Sequence, residues 1–123
     1  MAKDKSYLNC IETVKPVRDT VDIISGKWKL PIIISISIGN DRFTDIQGSI
    51  PGITPKVLAK ELKELESNQL IKRTIVSDYP IKIVYEPDLY AETLNPIIFA
   101  MKDWGINHRH KLFKNNEQEI KPS

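Results

Sequence analysis

Three observations predict a mainly α-helical fold carrying one small β-ribbon, an α+β arrangement. First, apolar residues recur at helical spacing in separate segments: Val14, Val17, Val21 and Ile24; Leu58, Leu62 and Leu65; Leu94, Ile97, Ile98, Met101 and Trp104. Second, residues 71–76 and 81–85 are rich in β-branched and aromatic side chains and flank the turn-forming run Ser77-Asp78-Tyr79-Pro80. Third, this ribbon follows directly on a short helix with a basic face. A helix and then a ribbon in this order is the winged helix-turn-helix plan. Such a helix has the right size for a major groove, and the ribbon can touch the neighbouring backbone or minor groove.

The elements follow in order. Residues 1–13 read as a polar arm without period. The valine stripe predicts a first helix over residues 15–25, broken by Ser25-Gly26. Residues 27–38 are ambiguous. The isoleucine-rich run at 32–38 has strand propensity, and Pro31 counts against a helix interior, so local evidence slightly favours a strand over a helix buried all round. Gly39-Asn40-Asp41 is a turn, and Arg42-Phe43 can form a short strand. A short helix follows at 44–49, with Phe43, Ile46 and Ile50 facing inward. After the Pro51-Gly52 turn, Thr54 is a helix N-cap and Pro55 the first helical residue, whose missing N–H costs nothing there. That helix runs to Ser67 and ends at Asn68-Gln69; the ribbon occupies residues 70–86. From Leu89 the pattern is helical again, divided by Asn95-Pro96 into a short and a longer helix. Residues 14–113 thus form the domain, and 114–123 a flexible tail, polar and aperiodic from Glu117.

At 123 residues, one domain is expected, large enough for a core without covalent staples. The formal net charge is only +2, which argues against a blanket nucleic-acid coat but leaves room for a local basic patch. With Cys10 as the single cysteine, no intrachain disulfide can form, and a reducing cytoplasm fits best. The first residues carry no apolar signal sequence, and the longest apolar run is too short to span a bilayer, so no membrane partner is expected.

Lys56, Lys60 and Lys63 repeat at i, i+4 and i+7, nearly opposite the leucine stripe of the same helix. They are either a solvated face, which the flanking Glu61, Glu64 and Glu66 make plausible, or a surface for DNA. Thr54 and Lys56 stand at the end that enters a groove first, where free backbone N–H groups attract phosphate. In the ribbon, Lys82 and Arg73 are candidate phosphate or minor-groove contacts, with Asp78 at the tip placed to orient a cation. Arg42 and Thr44 begin the short helix, where backbone positioning is typical; Lys27 can reach a phosphate or remain solvated. Trp28 and Trp104 lie in apolar stripes and read as core or interface residues rather than stacking platforms. His108 and His110 do not share a helix face, so no metal site is expected, and no cofactor motif or catalytic constellation stands out. A domain this small cannot cover the stripes of both terminal helices. Val14, Val17 and Val21, with Ile97, Met101 and Trp104, are therefore candidate homodimer contacts.

Four segments carry a resemblance to the HxlR-type regulators, a branch of the MarR-like winged-helix transcription factors. They are Pro16-Val17 with Ile24-Ser25-Gly26-Lys27-Trp28; Arg42-Phe43-Thr44-Asp45-Ile46; Ile50 to Leu58 continuing through Leu62-Lys63-Glu64-Leu65-Glu66 to Leu70-Ile71; and Arg73-Thr74 with Pro80 and Tyr85. Trp104-Gly105 adds to them, and the resemblance spans about residues 15–110. It implies a dimeric regulator, more commonly a repressor, whose terminal helices dimerise and whose basic helices read a pseudo-palindromic operator in double-stranded DNA. It also implies that residues 27–38 are a buried central helix with Pro31 in its first turn. Family members often carry a cysteine just before the Pro-Val of the first helix; here Lys15 stands there, with Cys10 five residues upstream. Two further readings stay open: a winged-helix protein-interaction module that binds no DNA, and a small-molecule effector in the dimer cleft that shifts DNA affinity.

Overall fold

The computed structural model describes residues 11–120, with the side chains of residues 12–114. Helices α1 (Ile11–Ile24), α2 (Lys29–Ser37), α3 (Phe43–Ser49) and α4 (Pro55–Ser67) precede strands β1 (Ile71–Asp78) and β2 (Ile81–Pro87). A 3₁₀ turn (Leu89–Leu94) and the long helix α5 (Asn95–Ile120) complete the chain. Two compact units result, one ending at Leu89 and one beginning at Tyr90. Mainly helical with one antiparallel hairpin, this is the winged helix-turn-helix plan.

The segment whose local propensity favours a strand is helix α2, as the resemblance implies. Ile32, Ile33 and Ile36 are buried, and the helix packs on α3, α4 and β2, so tertiary burial overrides β-propensity. Pro31 lies in the first turn, where its missing N–H would have had no intrahelical partner. Ser35 is buried but satisfied: its hydroxyl meets the Ser49 hydroxyl at 2.6 Å and accepts from the Asn40 side chain at 3.1 Å, tying α2 to α3. At the C-terminus, Gly39 at φ +114° lets its own N–H reach the Ile36 carbonyl and the Asn40 N–H the Ser35 carbonyl, a Schellman closure.

Helix α4 starts as its sequence dictates. The Thr54 hydroxyl accepts the Val57 N–H at 3.2 Å, a cap of about 1 kcal/mol, and Pro55 is the first helical residue. Leu58, Leu62 and Leu65 are buried on its inner face. Its end repeats the Schellman pattern, with Gln69 N–H to Glu66 carbonyl and Leu70 N–H to Leu65 carbonyl. Here, however, the left-handed residue is Gln69, at φ +61°, not glycine.

Several expectations need correction. Arg42-Phe43 forms no strand: Arg42 is the extended N-cap of α3 and Phe43 its first residue. Among the described residues a backbone bond, Tyr85 N–H to the Asp41 carbonyl, ties this turn to the ribbon. Helix α1 begins at Ile11, inside the segment read as an arm, which carries Pro16 past the first turn; an interior proline forfeits one backbone bond. The strands are longer than expected, leaving Tyr79-Pro80 as the turn, and the ladder slips between Ile75 and Ser77, a bulge that leaves Val76 unpaired. Asp78 pairs with Ile81 in this ladder, and among the described residues it forms no ion pair. Helix α5 continues to Ile120, through much of the segment read as a tail. Cys10 lies outside the described residues.

Candidate nucleic-acid interface

The buried leucine face of α4 forces its opposite face outward, and Lys56, Lys60 and Lys63 are all exposed there. The ribbon rises beside the C-terminal half of the helix. Between them lies an open groove of about 870 Å³ in which Lys60 and Lys63 from α4 meet Arg73 from β1, over a floor that includes Phe43 and Tyr85. The register places Arg73 opposite Tyr85, so one strand pair supplies both a cation and an aromatic wall. A smaller groove of about 320 Å³ runs along the other side of Phe43 and Tyr85, lined by Arg42, Thr44, Ile81 and Ile83.

The expected contact residues therefore fall into three groups. Lys60, Lys63 and Arg73 share one groove, while Arg42 and Thr44 share the next. Thr54 and Lys56 lie outside both, exposed at the N-terminal end of α4, and Lys82 lies toward the tip of the ribbon, opposite Ser77. Lys27 is committed elsewhere, with its ammonium 4.8 Å from the centre of the half-buried Trp28 ring.

Sequence reasoning missed Lys29. Its ammonium donates to the carboxylates of Glu61 at 2.7 Å and Glu64 at 2.6 Å, and these are the ion pairs formed among the described residues. The lysine and Glu61 side chains are only 12% and 14% exposed, whereas Glu64 stays half open to solvent. The hydrogen bonds it donates to Glu61 and then Glu64 raise the lysine above its ordinary range, and the bond from Lys29 lowers the Glu64 carboxyl, helped by the charge of Lys60. Two of the three glutamates that made the lysine stripe look like a merely solvated face are thus occupied from behind. The one signal in the sequence was a lysine at the start of a helix with no acid in its first turn, a position the helix dipole disfavours for a cation.

The apolar stripes expected at an interface are uncovered. Val14, Val17 and Val21 are exposed on α1, Val17 by 57%. On α5, Ile97, Met101 and Trp104 are exposed, and Trp104, 67% accessible, stacks on His108 with ring centroids 4.7 Å apart. Trp104 is thus no part of a core within the protomer. No group of three metal-ligating side chains occurs among the described residues, and no helix there is long and apolar enough to cross a membrane.

Comparison with known proteins identifies the family and the fold. The profile of the HxlR-like helix-turn-helix family matches residues 23–112. The uncharacterized HTH-type transcriptional regulator YdeP of Bacillus subtilis is 36% identical over 99 residues, covering 80% of this chain and 77% of that protein. Among solved structures, the redox regulator HypR in its reduced form superposes with a TM-score of 0.73 at 34% identity, covering 80% of this chain and 98% of that one. The reduced form of the transcriptional regulator YodB from B. subtilis gives 0.66 at 28% identity, covering 77% and 89%.

Proposed function

The chain belongs to the HxlR-like helix-turn-helix family and is a helix-turn-helix transcriptional regulator, and from that premise we propose that it binds a pseudo-palindromic operator as a homodimer and represses transcription. Helix α4 enters the major groove, with Thr54 and Lys56 leading toward base edges and Lys60 and Lys63 along the phosphates. Arg73 and Lys82 hold the ribbon on the adjacent backbone or minor groove, and Arg42 and Thr44 add positioning contacts from α3. The observation that carries this reading is the exposed lysine stripe of α4, free of ion pairs among the described residues, facing Arg73 across one groove.

Dimerisation buries the valine stripe of α1 and the Ile97, Met101 and Trp104 stripe of α5, which stand exposed among the described residues. A two-fold dimer presents two copies of α4 to half-sites about one helical turn, ~10 bp, apart. A dimer seated there blocks access to the DNA it covers, which is the physical basis of repression. The protein-interaction reading is the weaker one, because two of the three acids beside the lysines share the Lys29 ammonium and are drawn toward it.

The test is binding to duplexes from upstream of the protein's own gene and its neighbours, titrated with salt beside a random duplex. Preference for one segment, a steep salt slope and a two-fold footprint are expected. Equal, salt-insensitive weak association with every duplex, or none at low salt, refutes the reading.

A further inference from the structure

We propose that Lys29 is a positioning residue for DNA recognition: it holds Glu61 and Glu64 back from the lysine stripe of α4, so that Lys60 and Lys63 meet the phosphates uncompensated. The inference rests on the DNA-binding reading above.

Helix α4 is electrically balanced on its own, since its sequence PKVLAKELKELES carries lysines and glutamates in equal number. Lys60 precedes Glu64 by one helical turn, a spacing at which the two side chains pair on an exposed helix surface. Yet the pair is not made: the Glu64 carboxylate lies 2.6 Å from the Lys29 ammonium. Lys60 is close enough to act on that carboxyl, because its charge helps lower the Glu64 pKa. Asp22, Lys29, Lys60, Lys63 and Glu64 line one concavity of about 400 Å³, so these are the charges among which Glu64 is shared. Lys29 wins this contest from the first residue of α2, where the helix dipole opposes a cation and no acid stands in the first turn. A residue that gains nothing from its own helix, yet binds two carboxylates of the recognition helix, acts on that helix. Without it, Glu64 is free to take Lys60, and two carboxylates stand unmasked near incoming phosphates, where like charge weakens and misdirects binding.

The experiment uses the full chain and the duplex that the wild-type protein retains from a random library, read by fluorescence anisotropy at two salt concentrations. Lys29→Met is expected to weaken binding about tenfold at low salt and less at high salt, where exposed charges are screened. Lys29→Arg keeps wild-type affinity to within about threefold. Adding Glu61→Gln and Glu64→Gln to Lys29→Met restores both the affinity and the salt slope that Lys29→Met flattens, whereas loss of a merely structural lysine would lower Tm and leave the salt slope of the folded protein unchanged. Wild-type protein that retains no duplex refutes the DNA-binding reading, and the inference falls with it. Wild-type binding with an unaffected Lys29→Met, or a loss that the two glutamine substitutions do not recover, overturns the inference alone. Should Lys29→Met fail to fold, Glu64→Gln in the otherwise intact chain decides. Its carboxylate is already masked, so affinity changes by less than about threefold; a tenfold gain overturns the proposal.

Discussion

The lysine stripe makes a quantitative prediction that also tests the dimer. Lys60 is exposed, caps nothing and forms no ion pair among the described residues, so Lys60→Ala should leave stability within about 0.5 kcal/mol. On the proposed reading, its effect on DNA binding acts through counterion release. Each phosphate-contacting lysine adds ~0.9 to the slope of log affinity against log salt. In a two-fold dimer the substitution occurs twice, so the slope should flatten by ~1.8. Raising salt from about 50 to about 200 mM should then shrink the wild-type advantage over the variant by about twelvefold, against about 3.5-fold for one lysine per complex. Anisotropy titrations at four salt concentrations resolve these values, with Lys111→Ala, exposed on α5, as a control that leaves the slope unchanged. A Lys60→Ala slope equal to wild type removes the residue from the interface, and a change near 0.9 refutes the two-fold complex.

Four further outcomes are expected. Gln69→Gly relieves a left-handed side-chain conformation at the α4 C-terminus and should stabilise the protein by about 1 kcal/mol, a few degrees in Tm by calorimetry; no gain would mean that glycine's extra unfolded-state freedom cancels the strain. Leu58→Ala opens a cavity at a fully buried site and should cost about 3–5 kcal/mol in urea denaturation; a cost below ~1 would show that the core there collapses freely. Val17→Glu and Met101→Glu, each at an exposed apolar position, should give folded monomers by sedimentation, whereas unaltered dimers would clear both helices of the interface. The contribution of Glu64, whose folded pKa is lowered, is fully present above the ordinary glutamate range and lost as pH falls through the lowered value. That of Lys29, whose folded pKa is raised, is present below the ordinary lysine range and lost as pH rises through the raised value. Stability profiles of Lys29→Met should therefore be flatter than wild type at both the acid and the alkaline limb.

What could be read from the chain, and what could not, divides along a physical line. Helix α4 was legible in full because its signals are local: an N-capping threonine, a proline at the first position, and a leucine stripe whose opposite face must point outward. The hairpin was legible because two β-branched runs flank a turn-forming sequence, although its bulge at Val76 was not, since a bulge depends on the register of the partner strand. Helix α2 resisted for the opposite reason. It is apolar nearly all round, as a central helix must be, and such a segment has no period by which to tell it from a buried strand. The resemblance assigned it where local propensity failed. The end of the last helix was missed because polar residues carry no stripe, yet a helix can continue through them.

The electrostatics of the site could not be read locally, and the reason bears on how such domains bind at all. A net charge of +2 and a helix α4 with as many glutamates as lysines both suggest a weak field. The field at a groove, however, depends on which charges are neutralised within a few ångströms and which are left facing outward. Glu61 and Glu64 lie 32 and 35 residues from the lysine that binds them, so their masking exists only once α2 crosses α4. Packing thus converts a balanced sequence into a surface with an acidic inner flank, occupied by Lys29, and a basic outer one. A nearly neutral protein can in this way hold a locally basic face without the self-repulsion and indiscriminate adhesion that a uniformly basic chain would suffer.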